Sequence, residues 1–78
     1  MVIAYVLINT KPGKEREVLE KIKQMDIKLL DSALLYGEYD IIIKVEVDTI
    51  DKLRSIVLDK IRQLEGVERT VTLISAIV

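Results

Sequence analysis

Leu34-Leu35-Tyr36-Gly37-Glu38-Tyr39-Asp40-Ile41-Ile42-Ile43-Lys44-Val45-Glu46-Val47 sets the organisation of the whole chain. From Asp40 to Val47 the residues alternate, with Ile41, Ile43, Val45 and Val47 on one face and Ile42, Lys44 and Glu46 on the other. That is the period of a strand buried on one side. Upstream, Ile27 to Tyr36 carries Leu29, Leu30, Leu34 and Leu35 in no clean alternation, so a second strand is expected in which Asp31-Ser32 marks a bulge or an exposed edge. Gly37 stands between the two apolar runs, and glycine adopts positive φ at little cost, so the segment reads as a β-hairpin.

Working outward toward the N-terminus, Val2 to Asn9 is a β-branched and aliphatic run that Thr10-Lys11-Pro12-Gly13 ends. From Lys14 to about Met25, Val18, Leu19, Ile22 and Met25 recur at helical spacing opposite Glu15, Arg16, Glu17, Glu20, Lys21 and Lys23. Toward the C-terminus, Asp48 is placed to cap a helix whose first turn holds Asp51, where a carboxylate suits the positive end of the helix dipole. Its buried stripe is Ile50, Leu53, Ile56, Val57, Ile61 and Leu64, and Gly66 just past the end suits a left-handed terminator. Val67 to Val78 reads as a final strand that carries Thr70 and Thr72 on one face.

The predicted order is β-α-β-β-α-β, the α+β arrangement of a ferredoxin-like sandwich, with a four-stranded antiparallel sheet under two helices on one face. Residues 1–78 form one domain, with no repeat, linker or low-complexity stretch. On the first strand Ile3, Tyr5 and Leu7 point one way and Val2, Ala4, Val6 and Ile8 the other, so both faces are apolar. Helices cover only one of them, and the other face is expected to be a dimer surface.

A chain of 78 residues buries only roughly 60% of its unfolded surface, which also favours help from a partner. Half of the residues are hydrophobic but only 4% aromatic, so the packing is aliphatic. The net charge is −1 and the basic residues are scattered, so no footprint for nucleic acid is present. Cysteine and histidine are absent, which removes thiolate and imidazole chemistry and the usual zinc ligands. The carboxylates Asp26, Asp31, Glu38 and Asp40 share no spacing that defines a metal or acid–base site, and neither cofactor nor catalysis is expected. The opening apolar run is too short to span a bilayer and lacks a basic leader, so a cytoplasmic protein is expected, with no membrane contact. Abundant Ile, Glu and Lys with few amides fit a heat-adapted host.

Leu34 to Asp40 followed by an aliphatic strand, then Gly66-Val67-Glu68-Arg69-Thr70-Val71-Thr72, resembles the effector domain of the Lrp/AsnC transcription regulators, called RAM. The matching motifs are a Gly-x-Tyr-Asp turn and a Gly-Val-x-x-Thr-x-Thr strand, and the similarity runs through essentially the whole chain. No room precedes the first strand for the family's helix-turn-helix, so a stand-alone RAM domain is expected. Tyr36 replaces the Thr common before the turn glycine. The resemblance implies dimers formed through sheet faces, assembly into a higher oligomer, and small amino-acid effectors held between dimers by the turn. It also implies full-length Lrp/AsnC regulators as partners.

The candidate ligand-binding residues are Tyr36, Gly37, Glu38, Tyr39, Asp40, Thr70 and Thr72. Asp40 serves equally as the partner of an effector ammonium or as acceptor for amides of its own turn. Gly37 supplies turn geometry, and its unscreened amides also suit a carboxylate. Tyr39 is a pocket wall or a cross-strand packing group, and the threonines are hydroxyl donors or simply β-branched strand formers. The expected function is a non-enzymatic, amino-acid-responsive oligomeric regulatory module. The alternatives are a small dimeric monooxygenase-like enzyme and a ligand-free scaffold.

Overall fold

A computed structural model describes residues 1–76. The alternation around Lys44 becomes strand β3 (Ile41–Val47), which buries Ile41, Ile43 and Val45 completely and leaves Ile42, Lys44 and Glu46 half-buried on the opposite side. Strand β1 (Val2–Thr10) runs antiparallel beside it, with Val6 opposite Ile43 and Ile8 opposite Ile41. Strand β2 (Lys28–Leu34) flanks β3 and β4 (Val67–Ile74) flanks β1, giving the order β2-β3-β1-β4 with every neighbouring pair antiparallel. Helices α1 (Glu15–Lys23) and α2 (Ile50–Ser55) complete the expected β-α-β-β-α-β sequence of elements.

Both helices lie on one face. Val18, Leu19 and Ile22 of α1, Leu53 of α2, and Ile56, Val57 and Ile61 beyond it pack against Ala4, Val6, Ile8, Ile41, Ile43 and Val45. Each fully buried aliphatic side chain contributes about 1.5–3 kcal/mol, and these layers are the main support of the fold. The opposite face carries Ile3, Tyr5 and Leu7 of β1, Ile42 of β3, and Val71 and Leu73 of β4, the last two opposite Leu7 and Tyr5. No helix among the described residues covers it.

Several boundaries differ from the sequence reading. Helix α1 ends at Lys23 and not near Met25, because Gln24 caps it and its amide reaches back to the Glu20 and Lys21 carbonyls. Thr49, not Asp48, caps α2, its hydroxyl accepting the Lys52 amide at 3.1 Å. From Ile56 to Ile61 the second helix is π-helical, and the Arg62 amide donates to the Val57 carbonyl at 2.9 Å. The widened turn has a packing reason. Ile56 and Ile61 are five residues apart, and hydrogen bonds that span five residues bring both onto the sheet.

The helical coil stops at Ile61, so Leu64 lies outside it, and Ile50 is exposed at its start. Gly66 is left-handed, with φ +98°, but it does not terminate the helix. It leads into β4 under α1, where its carbonyl accepts the Lys11 amide at 2.8 Å. The bulge of β2 falls between Leu29 and Asp31, on an edge strand, so both readings of that irregular stretch hold. Strand β2 stops at Leu34, and the link to β3 is a longer loop than a tight hairpin turn. The final strand ends at Ile74, and the expected continuation over residues 77–78 lies outside the described residues.

Candidate ligand-binding site

The loop 35–40 is held by its two ends and by its neighbours. The Leu35 amide donates to the Asp40 carbonyl at 2.8 Å and closes the loop. The Asp40 amide donates to the Ile8 carbonyl at 3.0 Å, which ties the loop to β1. Oδ2 of Asp40 accepts the Thr10 amide at 2.8 Å, with the Thr10 hydroxyl at the 3.5 Å limit of hydrogen bonding. Thr10 is a buried polar residue at the end of an apolar strand, and Asp40 satisfies its amide. Nδ2 of Asn9 donates to the Glu38 carbonyl at 2.7 Å. The Arg69 guanidinium donates to the Tyr39 hydroxyl at 3.1 Å and lies 5.5 Å from the ring centroid.

The two contacts are separate. Asp40 meets Thr10, a buried residue, whereas Tyr39 meets Arg69, which stands opposite Asn9 on the open side of the sheet. Tyr36 is fully exposed and Gly37 takes φ +125°, with nothing within 4 Å of where a Cβ would stand. The glycine is there for its backbone angle and not for a crowded approach. Among the described residues the amides of Gly37, Glu38 and Tyr39 donate no hydrogen bond. Three successive undonated amides suit an anionic group, and the carboxylate that follows them in the chain suits a cationic one.

Thr70 pairs with Ile8 and Thr72 with Val6, so both face the helix side, as their spacing predicts. Thr70 is in the row of Ile8 and Ile41, about 10 Å across two strand spacings from the residue after Asp40. Thr72 is about 7 Å further along β4 and opens on a different hollow. That hollow, about 260 Å³, lies between α2 and β4 and is bordered by Ile50, Leu53, Arg54, Val57 and Ile74. The structure thus joins Asp40 to Thr10 and Tyr39 to Arg69, and it separates Thr72 from the loop. The sequence reading missed Asn9, Thr10 and Arg69. The visible signal was Asn9-Thr10, a polar pair at the close of an apolar strand.

Among the described residues no group of three or more acidic side chains is placed to hold a metal, and no helix is long and apolar enough to cross a membrane.

The Lrp/AsnC ligand binding domain family matches residues 3–76. The chain belongs to the Lrp/AsnC ligand-binding domain family. An uncharacterized HTH-type transcriptional regulator of Pyrococcus horikoshii, PH1916, is 35% identical over 75 residues, which span 92% of this chain and 49% of the relative. The chain therefore matches about half the length of that curated regulator, and the hyperthermophilic genus fits the heat-adapted composition. The crystal structure of FFRP-DM1 is 43% identical with a TM-score of 0.89, covering 96% of this chain and 99% of that one. The fold alone is shared with transcriptional regulator NMB0573 of Neisseria meningitidis, solved as an L-Met complex, at 17% identity and TM-score 0.83 over 95% of this chain and 49% of the other.

Proposed function

We propose that the chain is a non-enzymatic, amino-acid-responsive regulatory module that dimerises through its open sheet face, assembles further, and binds its effector against the Gly37–Asp40 loop at a subunit interface. The observation that carries this reading is the loop itself, in which the undonated amides of Gly37, Glu38 and Tyr39 directly precede Asp40 in the chain. The amides suit an effector carboxylate, and Oδ1 of Asp40, which accepts no hydrogen bond among the described residues, suits its ammonium. The family's character as a ligand-binding domain supports the reading, as does the L-Met complex of a protein of the same fold. The relatives are named transcriptional regulators, which supports a regulatory and non-enzymatic role, with full-length Lrp/AsnC regulators as partners.

A ligand that binds one assembly state better than another shifts the equilibrium by that difference in affinity. The test is a thermal-shift screen of the twenty amino acids with light scattering in parallel. At ten times its dissociation constant an effector stabilises the fold by about 1.4 kcal/mol, a rise of several degrees in Tm for a domain of this size. Asp40→Asn keeps an oxygen for the Thr10 amide but removes the charge, and it is expected to weaken binding with little change in the unliganded Tm. An inert panel favours a ligand-free scaffold, and unchanged affinity in Asp40→Asn removes Asp40 from the site.

A further inference from the structure

The hollow between α2 and β4, away from the Gly37–Asp40 loop, has a chemistry of its own. It holds about 260 Å³, and among the described residues Arg54 and Thr72 are its only polar lining. The rest of its wall is aliphatic, and three of those side chains, Ile50, Leu58 and Ile74, are 51%, 40% and 48% exposed. Apolar surface left uncovered around a concavity, with polar groups at its rim, marks a binding site.

Two local features open this hollow. Thr72 stands opposite Val6, in the row that the helices cover over β1, yet on the edge strand β4 it is exposed. Its short side chain leaves space that a larger aliphatic residue would fill. On the helical wall, Ile56 and Ile61 are carried onto the sheet by the π-helical turn, while Leu58 between them stays exposed. Ile50, Arg54 and Leu58 follow at intervals of four, which sets the guanidinium between two exposed aliphatic side chains. Arg54 takes part in no hydrogen bond or ion pair among the described residues. The nearby Asp51 and Asp59 do not border the hollow.

We propose that this hollow binds a small aliphatic monocarboxylate, with its tail against Leu53, Val57 and Ile74 and its carboxylate on the Arg54 guanidinium, the Thr72 hydroxyl serving as a further donor. A guanidinium meets a carboxylate through two parallel N–H bonds, stronger and more directional than a point charge. Sites for larger ligands run to roughly 300–1,000 Å³, so a hollow of this size suits a tail of a few carbons. With no acidic lining, an ammonium on the ligand would lose water and face the Arg54 charge. The hollow therefore favours the acid over the amino acid of the same skeleton, the opposite preference from a loop that carries Asp40. It lies on the helix-covered side of the sheet, so a partner on the open face leaves it accessible.

A methyl-resolved NMR titration of the full chain with sodium 4-methylpentanoate tests the proposal, with 4-methylpentanamide lacking the charge and leucine adding an ammonium. Saturable shifts are expected on Ile50, Leu53, Val57, Leu58 and Ile74, with the amide and leucine each weaker at these methyls by about tenfold or more. Arg54→Gln should weaken the acid by about tenfold and leave the amide unchanged. Thr72→Leu fills the hollow and should abolish binding of both, whereas Asp40→Asn should change neither, which separates this site from the effector loop. Circular dichroism confirms each fold, and Arg54→Lys, which keeps the charge without the paired N–H groups, supplies a second variant if Arg54→Gln does not fold. Shifts that do not saturate in the millimolar range, shifts centred on the Gly37–Asp40 loop, or an Arg54→Gln variant that binds the acid as the wild type does overturn the proposal. So does a Leu58→Asp variant with an altered oligomeric state in sedimentation, which assigns the hollow to a protein contact.

Discussion

Gly37 and Gly66 both hold positive φ, but their surroundings differ. Gly37 faces open space, so an alanine there meets only the backbone penalty, whereas a Cβ on Gly66 would stand 3.2 Å from both Lys14 Cβ and Val18 Cγ2. Val18 is completely buried and cannot yield freely. Gly66→Ala is therefore expected to cost about 2–3 kcal/mol, and Gly37→Ala about 1 kcal/mol. Urea denaturation of the two variants measures the difference, and equal losses would show that Val18 and Lys14 move aside. From residue types alone both glycines were read as positive-φ positions, Gly37 in a hairpin turn and Gly66 as a helix terminator, with nothing to tell which of them is crowded. The same limit applies to Asp40, whose amide partner on Thr10 lies 30 positions away in sequence and was invisible to local reading.

At the level of elements, each strand and helix follows from its apolar period, while the ends follow from particular hydrogen bonds. Asp48 and Thr49 are both good caps by type. The backbone of Thr49 is extended, with φ −138° and ψ 160°, and its hydroxyl reaches the Lys52 amide. Thr49→Ala is expected to lower stability by about 1 kcal/mol and Asp48→Ala by less than about 0.5 kcal/mol. Chemical denaturation of both variants checks this, and the reverse order would return the cap to Asp48. The π-helical turn had a trace in the sequence, since Ile56 and Ile61 are five apart, a spacing that an α-helix does not keep on one face. Its length could not be read from that trace, because the sheet beneath decides which residues must turn inward.

For the whole molecule the two faces of β1 separate folding from assembly. Val6 is completely buried under the helices and Tyr5 lies on the open face. Val6→Asp places an unpaired carboxylate in the core and is expected to cost about 4 kcal/mol or more, a large part of the roughly 4–12 kcal/mol that a chain of this size holds in total. Tyr5→Asp should leave a folded chain that sediments as a monomer. Circular dichroism with sedimentation velocity distinguishes the two outcomes, and an unfolded Tyr5→Asp would mean that the fold depends on the partner.

The sequence by itself determined the element order, the antiparallel sheet with both helices on one face, the core row Ile41-Ile43-Val45, and the two-sided apolar character of β1, while leaving open which face of β1 the helices cover. These follow from periods of two and of about 3.6 residues, which are properties of neighbouring positions on the chain. Only the tertiary structure decided that Asp40 serves Thr10, that Tyr39 meets Arg69 across the sheet edge, that Thr72 turns away from the loop, and that Lys44 stands between Tyr5 and Asp31. Those relations join residues 13 to 39 positions apart through strand register and a bulge. Register is set by the packing of the whole sheet, and no local pattern of residues carries it.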